Sequence, residues 1–195
     1  MAKFKLVTKI IAGKYKGKIL KLPNLEVTRS SKSILKESFF NVLQLDIVDT
    51  IFIEAFGGSG SIGLEALSRG SSEVFFCEIN SQSYAILEQN CKEINRSSCT
   101  VMFGDTFEKI PTLIQSLINK KENIIIYIDP PFDFRDDMDD VYTKAYELVS
   151  NIKNNNVSLI VFEHISGLNL PSTLGKFKKF KNKKFGKSSL TYYNA

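Results

Sequence analysis

Five short apolar runs recur through the middle of this chain, each separated from the next by an amphipathic stretch. The apolar runs occupy residues 50–56, 73–79, 100–104, 124–129 and 158–163. The stretches between them show helical patterns over residues 61–70, 83–95, 106–120 and 139–152. Near-continuous hydrophobic strands that alternate with amphipathic helices are typical of a parallel sheet with helices on both faces. The pattern therefore predicts an open α/β sheet.

Both ends of the chain are expected to cover or extend this sheet. Residues 30–43 have the pattern of a further helix. Residues 176–195 have that of a hairpin, which turns near Gly186 and adds antiparallel strands at one edge. We expect residues 1–25 to form a basic N-terminal β-hairpin extension and residues 26–195 to form the main domain.

Length and composition limit the class of protein. The 195 residues suit a single domain with a full core. No apolar run approaches the roughly 18 residues of a membrane span, and lysines interrupt the N-terminal apolar residues, unlike in a signal peptide. The three cysteines have neither metal-ligand spacing nor an even count, which is typical of reduced thiols. We therefore expect a cytoplasmic protein with no membrane segment and no metal site.

Charge is distributed unevenly along the chain, although the net charge is only +5. The first 25 and the last 25 residues each carry seven lysines and no acid, so all 21 acidic residues lie between them. Two basic ends around an acidic body favour a polyanionic partner such as nucleic acid. Solvated surface lysine explains the same charges equally well, so charge alone leaves the question open.

The first predicted strand is followed by a glycine-rich turn. Gly58, Gly60 and Gly63 fit the pattern G-x-G-x-x-G, where glycines let the backbone approach a ligand and the helix start offers free N–H groups. Glu78 closes the second strand, where an acid typically accepts hydrogen bonds from ribose hydroxyls. A tight turn and a solvated acid are the structural alternative. A strand, a glycine loop, a helix and a second strand that ends in an acid, in this order along the chain, together favour a nucleoside-containing cofactor.

The third predicted strand ends close to Asp105, which is placed to border the base of such a cofactor. Asp105 is equally suited to be the N-cap of the next helix, because aspartate is favoured there and Glu108 follows three positions later, as in a capping box. The two roles are compatible, since the side chain can cap the helix while a neighbouring amide contacts the base.

The fourth predicted strand ends in the tetrapeptide Asp129-Pro130-Pro131-Phe132. Two prolines make a stiff, extended turn without N–H groups, so the turn offers mainly acceptors, the Asp129 carboxylate and the Pro130 carbonyl. Acceptors suit an amino group, which brings donors, and Phe132 offers a flat apolar face on which a base can stack. The alternative is a proline-terminated strand with Phe132 in the core. Together with the glycine loop and Glu78, the tetrapeptide favours a site for a base amine.

Beyond these motifs, almost the whole chain resembles a known family. The stretches that carry the resemblance follow in order: IIAGKYKGKIL, RSSKSILKESFFNVL, FGGSGSIGLEALSRG, IDPPF, VFEH and FGKSSLTYY. They resemble class I S-adenosylmethionine-dependent methyltransferases, in particular the bacterial family that methylates N2 of guanine 966 in 16S ribosomal RNA. In that class, an acidic-Pro-Pro-aromatic tetrapeptide is the signature of enzymes that methylate exocyclic amines of bases.

The resemblance implies a Rossmann-like α/β fold with a mostly parallel seven-stranded sheet and a C-terminal antiparallel hairpin. It implies S-adenosyl-L-methionine as cofactor and a monomer that acts on 16S ribosomal RNA within a small-subunit particle. The implied catalytic residues, which hold the target guanine, are Asp129, Pro130, Pro131 and Phe132. The implied cofactor site consists of Glu54, Phe56, Gly58, Ser59, Gly60, Glu78, Ile79, Asp105 and Thr106. The expected RNA contacts are Lys14, Lys16, Lys18, Arg29, Lys32, Lys36 and Lys187.

This chain departs from the family pattern in the segment before and within the helix over residues 30–43. Family members usually show Arg-Pro-Thr where this chain has Arg29 followed by two serines, and arginine is common where it has Ile34. These changes concern contacts with the substrate and not the chemistry. Lys32 and Lys36 are candidates to supply the charge instead.

Other functions share parts of this pattern. An NAD-dependent oxidoreductase would share the glycine loop and Glu78, but it would not explain the Pro-Pro-Phe sequence. A DNA adenine-N6 methyltransferase uses a similar tetrapeptide and is the main alternative, although it usually carries a target-recognition domain for which this chain has no room. A non-catalytic RNA-binding module would explain the basic ends but not the cofactor loop.

His164 is the lone histidine of the chain and follows the fifth apolar run. General base is one role that it could take. Its place beside Glu163, at the end of a buried strand, favours packing or hydrogen bonding instead.

Overall fold

The computed structural model of the chain describes residues 7–23, 29–131 and 138–195. The helices are α1 (Arg29–Leu43), α2 (Ser61–Arg69), α3 (Ser81–Ile94), α4 (Thr106–Ser116) and α5 (Met138–Ser150). The strands are β1 (Val7–Lys9), β2 (Ile19–Lys21), β3 (Ile51–Glu54), β4 (Glu73–Glu78), β5 (Cys99–Phe103), β6 (Ile124–Ile128), β7 (Val157–Ile165), β8 (Thr173–Leu174), β9 (Phe177–Phe185) and β10 (Ser188–Asn194). Within the described ranges, no helix is both long and apolar enough to cross a membrane.

The main sheet has the strand order β5-β4-β3-β6-β7-β10-β9-β8. The five strands from β3 to β7 are parallel to one another, and β10 pairs with β7 in the antiparallel direction. These five are the strands that the apolar runs predict, and each is followed by the predicted helix or hairpin. The Rossmann-like fold class is therefore confirmed. The sheet has eight strands instead of seven because the two-residue β8 adds to its outer edge.

Two apolar cores cover the two faces of the sheet. The residues of β6 alternate between them: Ile125 and Tyr127 face the core that includes side chains of α1, α2 and α3, while Ile126 and Ile128 face the core that includes α4 and α5. Successive side chains of a strand point to opposite faces, so a strand buried on both faces must be apolar throughout. This requirement explains the continuous run of isoleucines in β6.

The C-terminal hairpin turns at Gly186, as the sequence predicts. Ser188 of β10 pairs with Ile165 at the end of β7, and the Ser166 N–H donates to the Lys187 carbonyl at 2.8 Å. The turn therefore lies at the carboxyl edge of the parallel strands, the edge at which open α/β sheets bind ligands.

The strands β1 and β2 form a separate antiparallel hairpin. Its connecting loop packs on the end of α2, where the Lys14 N–H donates to the Ser68 carbonyl at 2.7 Å. Gly13 has φ 82°, and a Cβ there would lie 1.8 Å from the same carbonyl oxygen, so only glycine fits this close approach. The hairpin is thereby fixed along α2.

Candidate active site

The carboxyl ends of four neighbouring strands each carry an acid. Glu54 ends β3, Glu78 ends β4, Asp129 directly follows β6, and Glu163 lies near the end of β7. Three of them, Glu54, Asp129 and Glu163, line one cavity of about 310 Å³. A cavity with this many carboxylates suits a ligand that brings positive charge and hydrogen-bond donors.

The cavity brings together only part of the predicted site. Its lining includes six predicted residues, namely Glu54, Phe56, Gly58, Ser59, Asp129 and Lys36. It also includes residues that the sequence did not single out, from β1 and α1, among them Val7, Thr8, Ser33 and Leu35. The predicted residues Glu78, Ile79, Asp105 and Thr106 lie on the neighbouring strand ends, outside this lining.

The glycine loop has the conformation that its sequence requires. Gly58 has φ 50° and Gly60 has φ 76°, both in the left-handed region that favours glycine. A Cβ at Gly60 would lie 2.4 Å from a methyl carbon of Leu87, so the loop is also packed too tightly for a larger residue. Gly60 is the N-cap of α2, and the loop delivers this helix start to the cavity.

Glu54 supports the start of α2 from the preceding strand. Its Oε2 accepts a hydrogen bond from the Gly63 N–H at 2.8 Å, and the residue is only 6% exposed. Because Gly60 provides no side-chain cap, this carboxylate satisfies one of the free N–H groups of the first helical turn. Negative charge is also favourable at a helix N-terminus. The same carboxylate lines the cavity, so it can serve the helix and a ligand together.

Glu78 joins the glycine loop to the loop after β4. Its Oε2 accepts from the Gly58 N–H and its Oε1 accepts from the Asn80 N–H, both at 2.7 Å. Each carboxylate oxygen has two lone pairs, so acceptor capacity remains for the hydroxyls of a ribose. The adjacent Ile79 is 65% exposed and offers an apolar surface beside this carboxylate.

We predict that Glu78→Ala weakens the binding of S-adenosylmethionine by roughly 10–100-fold, because hydrogen bonds to a charged group are worth about 1.5–3 kcal/mol. Isothermal titration calorimetry on the purified variant measures the affinity. Glu93→Ala is the matched control, since Glu93 is an exposed glutamate of α3 that pairs with Lys21. Equal affinities in all three proteins would exclude Glu78 from the cofactor site.

Asp105 is the N-cap of α4, as predicted. Its Oδ1 accepts from the Phe107 N–H at 2.8 Å. The neighbouring Thr106 is buried, and its hydroxyl donates to the Ala55 carbonyl at the end of β3. These bonds fix the loop after β5 against the strand that leads into the glycine loop. A role of Asp105 and Thr106 beside a base stays a prediction.

The Asp-Pro-Pro segment follows β6 directly. Asp129 is partly buried and faces the cavity, Pro130 is buried and Pro131 is exposed. Asp129 thus lines the same cavity as Gly58 and Ser59 of the glycine loop. Phe132, the fourth residue of the predicted catalytic segment, lies outside the described residues.

Glu163 is a cavity residue that the sequence argument missed. It is 3% exposed, and its Oε2 accepts from the Tyr127 hydroxyl at 2.6 Å. Burial and the nearby carboxylates of Glu163 and Asp129 raise the pKa of Tyr127 well above its usual value, so the hydroxyl stays protonated and donates. The signal was present in the sequence, because Glu163 ends an apolar run in the same way as Glu54 and Glu78 do.

His164 takes a hydrogen-bonding role on the opposite face of the sheet from Glu163. Its Nδ1 lies 2.9 Å from the Ile165 carbonyl and therefore donates, so Nε2 accepts from the Thr191 hydroxyl at 2.8 Å. Asn182 completes the chain by donating to Thr191 at 2.8 Å. Burial lowers the pKa of His164. Both ring nitrogens are occupied by structural partners, as the packing interpretation expects.

The structure gives Lys36 a different role from the predicted RNA contact. Lys36 is 3% exposed; its Nζ donates to the Lys9 carbonyl at 2.9 Å and lies 3.4 Å from Glu65 Oε2. A buried, paired ammonium at the cavity wall is not available to a phosphate outside. Arg29 and Lys32 are helical residues of α1, but their side chains lie outside the described part of the chain.

The lysines of the two hairpins occupy different edges of the sheet. Lys187 follows Gly186 and is exposed at the carboxyl edge, close to the cavity. Lys14 is anchored to Ser68, seven residues into α2 from Ser61, which corresponds to about 10 Å along the helix. That the turn carrying Lys14, Lys16 and Lys18 contacts RNA beside the cavity stays a prediction. Within this hairpin, the residues that line the cavity are those of β1 together with Ile11 and Leu22.

Comparison with solved structures defines the fold. The fold matches that of an Escherichia coli protein described as a candidate methyltransferase, with a TM-score of 0.76 at 24% sequence identity over 96% of this chain and 97% of that chain. It also matches a Neisseria gonorrhoeae protein described as an S-adenosylmethionine-dependent methyltransferase, with a TM-score of 0.56 at 14% identity over 82% of this chain and 71% of that chain. The fold is that of the S-adenosylmethionine-dependent methyltransferases.

Sequence comparison then gives the family. The family model described as "Conserved hypothetical protein 95" matches residues 8–194, and the chain belongs to that family. The chain is 27% identical to "Ribosomal RNA small subunit methyltransferase D" of Buchnera aphidicola over 173 residues, which cover 87% of this chain and 85% of that protein. It is 32% identical to the Haemophilus influenzae protein of the same name over 133 residues, which cover 65% of this chain and 64% of that protein. The family resemblance indicated by the motifs is confirmed.

Proposed function

We propose that this chain transfers a methyl group from S-adenosylmethionine to the exocyclic N2 amine of a guanine in 16S ribosomal RNA, of the guanine 966 type. The observation that carries the proposal is the position of Asp129, directly before Pro130, at the wall of a cavity that is also lined by Gly58 and Ser59 of the glycine loop. The names of the relatives in Buchnera and Haemophilus support ribosomal RNA as the substrate class.

The residues around the cavity fit the proposed cofactor. S-adenosylmethionine carries an ammonium and a sulfonium, and Glu54 and Asp129 are carboxylates on the lining. Glu78 holds its carboxylate beside the glycine loop with lone pairs left for ribose hydroxyls. When bound, the cofactor supplies an electrophilic methyl group. The chain itself supplies acceptors, a glycine turn that admits close approach, and apolar surface at Ile79.

The proline turn prepares the amine for attack. A guanine amine is a weak nucleophile because its lone pair delocalises into the ring. Hydrogen bonds from the amine to the Asp129 carboxylate and the Pro130 carbonyl favour a pyramidal nitrogen whose lone pair points at the methyl group. A methylated amine would carry a positive charge until it lost a proton, and Asp129 is the residue that would accept this proton, late in the reaction. Positioning and electrostatics in a partly dry site supply most of the catalysis.

The target base must leave its stack to reach this cavity. Its wall is formed partly by β1 and α1, so an intact duplex cannot place a base amine against Asp129. Enzymes that act on a base within a helix flip it out, or they use a base that is already unpaired. The proposed substrate is accordingly an accessible guanine of the RNA within a small-subunit particle, and the proposed enzyme is a monomer.

The C-terminal hairpin is the proposed grip on the RNA backbone. Its turn lies at the carboxyl edge, beside the cavity, and carries the exposed lysines Lys184 and Lys187. Lys183 of the same hairpin donates to the Ser38 hydroxyl of α1 at 3.3 Å, which ties the hairpin to the helix that covers the cavity. Phosphate contacts of this kind fix position without reading sequence.

We predict that Lys184→Gln with Lys187→Gln weakens RNA binding and flattens its salt dependence. Two lost phosphate contacts lower the log–log slope by about 1.4 for a single strand. The measurement is RNA affinity at several salt concentrations. The control replaces Lys121 and Lys153, two exposed lysines at the opposite edge, and should keep the parent slope. If both double variants show the same RNA affinity and the same salt dependence, the C-terminal turn is only a solvated surface.

The proposed reaction is tested by methyl transfer from radioactive S-adenosylmethionine to three substrates: small-subunit particles and bare 16S RNA, both from a strain that lacks the enzyme, and DNA. We expect transfer to ribosomal RNA, with the product identified as N2-methylguanosine by mass spectrometry. Transfer to adenine in DNA would favour the alternative of a DNA adenine-N6 methyltransferase. The comparison of particles with bare RNA decides whether the enzyme needs an assembled subunit.

A further inference from the structure

We propose that Glu163 reads the N1–H group of the target guanine and so makes the site specific for guanine. This inference rests on the proposed function, because it concerns the base whose N2 amine faces Asp129. It adds a specificity-determining residue on β7 to a cavity that is also lined by Glu54 at the end of β3 and Asp129 after β6.

The register of the sheet places Glu163 beside Asp129. Ile128 of β6 pairs with Phe162 of β7 in parallel register, so the next residue of each strand is Asp129 and Glu163. Neighbouring strands are about 4.8 Å apart. Both side chains line the same cavity and therefore form a short row of two carboxylates along one wall.

Hydrogen bonding fixes the direction of the Glu163 carboxylate. The Tyr127 hydroxyl donates to Oε2 at 2.6 Å, and the Tyr127 ring is itself fully buried against Phe39, at 5.0 Å between ring centroids. A carboxylate held in this way does not need to reorganise when a ligand arrives. Each of its oxygens has two lone pairs, so the bond to Tyr127 leaves acceptor capacity for a ligand N–H.

A row of two carboxylates matches the edge of guanine and opposes that of adenine. Guanine places the N1–H donor next to the N2 amine, so Asp129 can accept from the amine while Glu163 accepts from N1–H. Adenine places an unprotonated N1 next to its amine, and that lone pair would face the negative charge of Glu163. Specificity commonly depends on such a repulsive element as well as on an attractive one. The site thus distinguishes two bases that both offer an exocyclic amine.

The test replaces the target guanine of a synthetic RNA by 2-aminopurine, which keeps the N2 amine but has no N1–H. The RNA is ligated into 16S RNA where the particle is required. Single-turnover methyl transfer to guanine and to 2-aminopurine is measured for the parent and for Glu163→Gln, whose amide can donate to an unprotonated N1. We expect the preference for guanine to fall by roughly 10-fold or more in the variant, the range of one hydrogen bond to a charged group.

Two controls separate this result from a general loss of function. First, the affinity for S-adenosylmethionine should be unchanged in Glu163→Gln. Second, Glu73→Gln should keep the parent's preference for guanine over 2-aminopurine, because Glu73 lies at the far end of β4, where it pairs with Lys120. If Glu163→Gln fails to fold, Glu163→Asp is the second variant. Its shorter carboxylate should slow transfer to guanine more than transfer to 2-aminopurine.

An unchanged preference in the folded variant overturns the role of Glu163, provided that the parent methylates the guanine. Failure of the parent to methylate guanine at all would instead overturn the proposed function. The two failures are therefore distinguishable in one set of measurements.

Discussion

Replacing Asp129 by alanine is expected to lower the rate of methyl transfer by about 10²–10³-fold, the usual effect of removing one hydrogen bond that acts on the transition state. Asp129 follows β6 directly and lines the cavity beside Gly58 and Ser59. The proline turn after it lacks N–H groups, so the carboxylate and the Pro130 carbonyl are the acceptors available there for the amine. Single-turnover transfer at saturating RNA measures the effect on chemistry.

The same variant should bind S-adenosylmethionine almost as well as the parent, because Glu54, Glu78 and the glycine loop remain. Asp140→Ala is the matched control, since Asp140 is an exposed aspartate on α5 that pairs with Lys144. It should transfer methyl groups at the parent rate. A near-parent rate for Asp129→Ala would show that Asp129 only terminates the strand. Equal losses of rate and of cofactor affinity would assign Asp129 to the cofactor site instead.

The strands and their polar ends were predictable because each rests on local chemistry. A strand buried on both faces must be apolar throughout, so β6 is recognisable from its isoleucines alone. The glycine loop is recognisable because positive φ at Gly58 and Gly60 restricts the residue type. Asp105 was predictable as a helix N-cap for the same reason, since capping depends on neighbours in sequence.

Burial of charged residues could not be predicted in the same way. Lys36 stands three positions before Phe39 in a helix of unremarkable pattern, and only the arrival of Glu65 from α2 explains why its ammonium is buried. The turn around Lys14 is likewise fixed by Ser68, 54 positions away along the chain. Such partners are brought together by the fold, and no spacing within one segment reveals them.

Some of the site was visible in the sequence but was assigned differently. Glu54 was expected to face the cofactor, and its Oε2 also caps α2 at Gly63. At the end of the fifth strand the lone histidine is the more conspicuous residue, although Glu163 repeats the acid that ends the other strands. The two neighbours point to opposite faces of the sheet, and it is Glu163 that lines the cavity.

Glu65 is a buried acid whose removal should cost considerable stability. It is fully buried on α2, and its oxygens accept from the Ile11 N–H at 2.7 Å and the Ala12 N–H at 3.0 Å. It also pairs with Arg69 at 2.8 Å and with Lys36 at 3.4 Å. One carboxylate therefore joins the N-terminal hairpin, α1 and α2.

Glu65→Ala is expected to lower the free energy of unfolding by about 3–5 kcal/mol, because breaking a buried pair leaves an uncompensated charge in the interior. Urea denaturation followed by circular dichroism gives the value. Glu93→Ala, which removes an exposed acid of α3 from its pair with Lys21, should cost less than about 1 kcal/mol. Adding Lys36→Met to Glu65→Ala should recover part of the loss, since it removes the stranded ammonium.

The pH dependence of the Glu65→Ala variant gives an independent check on the same cause. Burial already lowers the pKa of Lys36 in the folded parent, and Glu65 opposes that shift. Without Glu65, the pKa of Lys36 in the folded variant should fall further below its pKa in the unfolded chain. Between the two values the unfolded state binds more protons, so the stability of the variant should rise with pH over that interval. The opposite result would be a small loss of stability in Glu65→Ala and no rise of its stability with pH. Glu65 would then not hold the buried ammonium of Lys36, and Ser68 and its neighbours would fix the hairpin to α2 instead.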